Sequence, residues 1–80
     1  MPETKERPLV VTGWRVYKTW VEGPKEKQKT RDKAISNKFT VEEAAKIFAD
    51  IARRSHIPDP EERLVEFVVR KEFGYEGRRR

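Results

Sequence analysis

Residues 25–33 read KEKQKTRDK and contain no apolar side chain, so this run cannot contribute to a core. It divides a chain of 80 residues, and whatever core exists has to be assembled from the segments on either side. Before it, Pro8 to Val21 reads PLVVTGWRVYKTWV, rich in β-branched and aromatic residues. From Trp14 the run alternates. Trp14, Val16 and Trp20 fall on one face, interrupted by Lys18, and Arg15, Tyr17 and Thr19 fall on the other. Alternation with period two predicts a strand resting one face on a core. The two tryptophans are expected to supply the main mass of that core. Gly13 predicts a bulge or a tight turn inside the run. Glu22-Gly23-Pro24 then punctuates the chain. The basic run is expected to form a solvated loop, and residues 34–39 a short strand that returns beside the first.

The next segment carries the clearest helical signal. Thr40 and Glu43 have the spacing of a capping box, with Phe39 placed to staple onto Ala44. Val41, Ala44, Ala45, Ile47, Phe48, Ile51 and Ala52 recur at helical spacing, and charged residues occupy the other side. Arg53 and Arg54 fall in the last turn, where cations complement the helix dipole. A helix is predicted over 41–54. Farther on, Asp59-Pro60-Glu61-Glu62 has the composition of a second helix start. Leu64, Val65, Phe67, Val68 and Val69 gather on one side of a helical projection, and Gly74 occupies a C-cap position. A second helix over about 60–73 is predicted. A strand is the alternative, favoured by the β-branched content.

The expected fold class is therefore α+β. A single small domain spans 1–80, with an N-terminal β-hairpin (about 8–21 and 34–39) packed on an amphipathic helix (about 41–54) and a second C-terminal helix. The ends, about 1–7 and 76–80, are expected to fray. A strand pair with a basic loop, followed by the T-x-E-E-A helix start, is similar in general shape to hairpin-plus-helix DNA-binding domains of the integrase-arm kind. That is a likeness of shape alone, and shape does not carry function.

Chemistry-bearing constellations are few. His56 is the single histidine and there is no cysteine, so a metal site is not expected. Ser36, Ser55 and His56 occur without a motif that places them together, and the paired acids Glu42-Glu43 and Glu61-Glu62 are explained by helix starts. Glycines 13, 23, 74 and 77 are isolated, so no phosphate-cradling loop motif occurs. No enzyme activity and no cofactor are expected. No apolar run approaches a membrane span and MPETKER lacks a secretory core, so a cytoplasmic protein is expected. One asparagine and one glutamine against abundant Lys, Arg and Glu match the composition of proteins from hot environments.

Charge is the remaining signal. Lys plus Arg number 19 and Asp plus Glu 14, a formal +5. The excess is uneven: residues 1–40 carry ten bases and five acids, whereas 41–77 carry six bases and nine acids. Lys25, Lys27, Lys29, Arg31, Lys33 and Lys38 concentrate the positive charge, and Arg78, Arg79 and Arg80 add a basic tail. Basic loops bind phosphate backbones by releasing counterions. Arg15, Tyr17 and Lys18 would add a stacking ring flanked by cations, as single-stranded nucleic acids use. The expected partner is DNA or RNA. The alternative is a protein-interaction module, an accessory subunit or inhibitor of a larger machine, docking its basic half on an acidic protein. A chain this small is also expected to gain from homo-oligomerisation.

Overall fold

The computed structural model describes residues 8–75. Strand β1 (Leu9–Glu22) is central in a three-stranded antiparallel sheet of order β2-β1-β3, with β2 at Lys29–Ala34 and β3 at Arg63–Tyr75. One helix, α1 (Glu42–Ser55), packs on one face of that sheet. The architecture is mixed α+β, and the hairpin and first helix are present. The second C-terminal helix is not: those residues form β3.

The reason lies in the segment before it. Asp59 does cap, but it closes a turn. Its carbonyl accepts from the Glu62 N–H at 2.9 Å, and its Oδ1 accepts from the Glu61 N–H at 2.9 Å. Asp before proline serves a β-turn as well as a helix start. The β-branched residues that follow then pair with β1 over its whole length. Their irregular pattern is explained by a bulge: Thr19 pairs with Glu66 but Val21 with Arg63, leaving an extra residue in β3. Leu64 sits there with φ 53. Gly74 lies against the Thr12 side chain, as a strand residue and not a helix cap.

The returning strand is also displaced. It covers Lys29–Ala34, in the basic run, and not 34–39. Gly23 allows the early return: its φ of 101 excludes a side chain comfortably, and an added Cβ would lie 2.6 Å from the Lys27 carbonyl oxygen. β2 is exposed throughout, which its sequence permits because it is a short, charged edge. Ile35 and Phe39 leave the ladder to pack on the helix. They still satisfy β1: Ile35 N–H donates to the Val16 carbonyl at 2.9 Å, Ser36 Oγ accepts from the Val16 N–H at 3.0 Å, and Phe39 bridges Trp14. The bridge requires Gly13, where a Cβ would meet the Phe39 carbonyl oxygen at 2.7 Å.

The core is small. Val16, Ala45, Ala49 and Phe67 are buried, with Trp14, Ile35, Phe39, Phe48 and Val69 packed against the first three. α1 meets the sheet through alanines, so Ile47 and Ile51, expected on its inner face, remain 54% and 55% exposed. The capping box does not form. Val41 is the N-cap residue and no side chain caps the helix; Phe39 packs on Phe48, ring centroids 5.6 Å apart. Trp14 belongs to the core but Trp20 lies beyond the helix. α1 begins shortly after the Phe39–Trp14 bridge and ends where His56 sets its ring on Phe67, the partner of Lys18.

Replacing Ala45 by Leu is expected to overpack this interface and cost about 1–3 kcal/mol, measured by urea unfolding followed by tryptophan fluorescence. Thr40→Ala is expected to change stability by less than about 0.5 kcal/mol. A loss near 1 kcal/mol would show a working cap.

Candidate nucleic-acid interface

The alternation of β1 assigns each candidate side chain to a face. Lys18 and Trp20 share the helix side with Val16, and across β2 the register places Lys33 opposite Lys18, Arg31 opposite Trp20 and Lys29 opposite Glu22. Arg15 and Tyr17 lie on the other, helix-free side, with Arg70 and Val68 opposite them on β3. The sequence grouping of Arg15, Tyr17 and Lys18 is thus split between two faces.

On the helix-free face the cations are spent. Arg70 lies over the Tyr17 ring, 4.5 Å from its centroid, and its Nη1 donates to Asp32 Oδ2 at 3.1 Å. The Tyr17 hydroxyl donates to Glu72 Oε2 at 3.4 Å, and Arg15 Nε lies 3.7 Å from the same oxygen. Tyr17 is half-buried beneath this network, so one side of its ring already carries a guanidinium in place of a base.

On the helix side, beyond the end of α1, Lys18 Nζ donates to Glu62 Oε1 at 2.7 Å and sits 4.9 Å from the Trp20 ring centroid. Trp20 Nε1 donates to Glu22 Oε1 at 2.9 Å, and Arg31 Nη1 donates to Glu22 Oε2 at 2.7 Å. Lys29, Arg31 and Lys33 project from this same face at intervals of about 7 Å, the two-residue repeat of a strand. Lys25 and Lys27 occupy the 3-10 turn that joins the strands. Lys38 stands apart, its Nζ donating to Thr12 Oγ1 at 3.3 Å. Arg78, Arg79 and Arg80 lie outside the described residues.

A cleft of about 520 Å³ opens at the hairpin, lined by Lys27, Lys29, Arg31 and Arg63, with Glu22 and Glu61. Arg63 is the member that sequence reasoning missed. Read as part of a helix it had no relation to the hairpin; as the first residue of β3 it donates from Nη2 to the Gly23 carbonyl at 2.8 Å. Its pairing with Val21 depends on the β3 bulge, which no local pattern specifies.

Among the described residues, Arg15, Lys18, Arg31, Lys46, Arg53, Arg54 and Arg70 are ion-paired, whereas Lys25, Lys27, Lys29 and Lys33 are not. The hairpin therefore presents the largest group of uncompensated cations, all exposed. Among the same residues no cluster of three or more His, Cys, Asp or Glu could hold a metal ion, and no helix is long and apolar enough to cross a membrane. No family model, no curated protein and no solved structure matches the chain.

Lys18 and Glu62 retain only 19% and 16% side-chain exposure. Glu62→Ala leaves the ammonium unpaired in that setting and is expected to cost about 1–3 kcal/mol. Equilibrium unfolding of Glu62→Ala, Lys18→Met and the double variant measures it. Equal costs in all three would show that the pair, not the stranded charge, matters.

Proposed function

We propose that this is a small nucleic-acid-binding protein that grips the phosphate backbone of DNA or RNA through the β1–β2 hairpin. The observation that carries the reading is the set of uncompensated lysines, Lys25, Lys27, Lys29 and Lys33, on one projecting hairpin whose neighbours Lys18 and Arg31 are neutralised. A cation already paired to a carboxylate releases little when it meets phosphate. An unpaired one contributes fully to counterion release. Arg63 and Lys27 extend the same surface across the cleft. Tyr17 is not assigned a stacking role, because Arg70 occupies its ring.

Fluorescence polarisation with labelled single-stranded DNA, duplex DNA and RNA over a range of salt tests this. Affinity is expected to fall linearly on a log–log plot. The combined replacement of Lys25, Lys27, Lys29 and Lys33 by Ala is expected to flatten the slope by about 3. Lys46→Ala, on the helix, is expected to leave it unchanged. Equal slopes in the fourfold variant and the wild type would remove the hairpin from the mechanism. A salt-resistant complex with a protein, and none with nucleic acid, would select an interaction module in its place.

A further inference from the structure

We propose that the outer edge of β3 pairs antiparallel with the same strand of a second copy of this chain, joining two sheets about a two-fold axis at Lys71. The inference is independent of the nucleic-acid reading. Its basis is an open edge whose register, charges and neighbouring groove complement themselves.

Among the described residues no strand pairs with β3 on the side away from β1. Trp14 and Val16 direct their backbone groups to Phe39, Ile35 and Ser36, on the β2 side. Alternation then turns Arg15, Tyr17 and Thr19 toward β3, where Arg70, Val68 and Glu66 meet them. The intervening residues, Phe67, Val69, Lys71 and Phe73, face outward with their N–H and C=O groups. Arg53 reaches over from α1 and donates from Nη2 to the Phe67 carbonyl at 3.1 Å, which closes the edge at that point. The ladder left open runs from Val69 to Phe73.

Charge favours one register for that ladder, at the cost of a single like pair at its axis. An axis at Lys71 sets Val69 opposite the partner's Phe73 on the helix side, and Arg70 opposite the partner's Glu72 on the other. Both are favourable cross-strand pairs. Moving the axis by one residue places Arg70 against the partner's Arg70, or Glu72 against the partner's Glu72. Moving it to Val69 sets Glu66 against the partner's Glu72 and requires the carbonyl that Arg53 already holds. The two Lys71 side chains meet at the axis, and each has Glu42 and Glu43 lining the same groove.

That groove, about 590 Å³ between α1 and β3, is floored by Trp14, Ala49, Phe67 and Val69. Phe73 shares the helix side of β3 but lies past the helix and is 58% exposed. Val11 faces it across the sheet, because the irregularity between Val11 and Gly13 returns Val11 to this side. In the Lys71 register each copy brings Phe73 to the mouth of the other's groove, beside Val69. A two-fold interface is self-complementary in this way.

The chain has no cysteine, so a single introduced one reports cleanly. Facing residues in a hydrogen-bonded pair have Cα atoms about 5.5 Å apart, within disulfide reach. Lys71→Cys is therefore expected to form a covalent dimer under mild oxidation much faster than Lys33→Cys on β2. Sedimentation velocity is expected to show a concentration-dependent dimer that Phe73→Glu weakens at least about tenfold, with unchanged circular dichroism. Lys71→Pro, which removes an outward N–H together with the Lys71 ammonium, is expected to do the same. A wild-type monomer at all concentrations, a dimer indifferent to Phe73→Glu, or equal cross-linking of the two cysteine variants would overturn the proposal. Should Phe73→Glu unfold, the cross-linking comparison still decides.

Discussion

The contact between two alanines and a valine organises this molecule. Ala45 and Ala49 carry only methyl groups and do not hold α1 away from β1, so the helix rests on Val16 and its bulkier neighbours close in around it. A helix of 14 residues is about 21 Å long. A strand of 14 residues extends about 46 Å. One helix seated at the middle therefore leaves both ends of the sheet without a layer. At one end lies the basic hairpin with Trp20; at the other lies the apolar ribbon with Phe73. The two proposed surfaces are the two consequences of that mismatch in length.

Neutralisation separates the cations that can bind from those that cannot. On the helix-free face Arg15 and Arg70 are held by Glu72 and Asp32, and on the helix Arg53 and Arg54 share Asp50. Glu72 and Asp32 meet their arginines because the strands lie side by side, whereas Asp50 meets Arg53 and Arg54 through helical spacing within α1. At the hairpin, Glu22 is already taken by Arg31 and Trp20, and Glu62 by Lys18. Lys25, Lys27, Lys29 and Lys33 are left without an ion pair, so positive charge concentrates along the hairpin.

Two bulges decide which side chains share a face. The one near Thr12 returns Leu9 and Val11 to the side of Trp14, so an apolar stripe continues past the helix. The one at Leu64 brings Arg63 to the hairpin and breaks the alternation of β3. A bulge is the addition of one residue against a partner strand. It exists only in the pair, which is why β3 read by itself resembled a helix.

What the sequence determined by itself was whatever depends on nearest neighbours along the chain. The alternation from Trp14 and the spacing of Ala45, Phe48 and Ala52 specified β1 and α1, because periodicity is a property of one segment. The charge imbalance located the basic region, and Gly13 marked the irregularity beside it. The tertiary structure decided what depends on pairing. Residues 29–34 became a strand although Ala34 is their single apolar residue, since an edge strand needs only backbone partners. Residues 63–75 became β3 because β1 offered a full-length ladder, which outweighs a weak helical propensity. Tyr17 lost its open ring to Arg70, and Trp20 left the core because the helix was too short to reach it. These outcomes rest on contacts between residues distant in the chain; local pattern offered the strand at 63–75 only as an alternative, through its β-branched content, and did not specify the other outcomes.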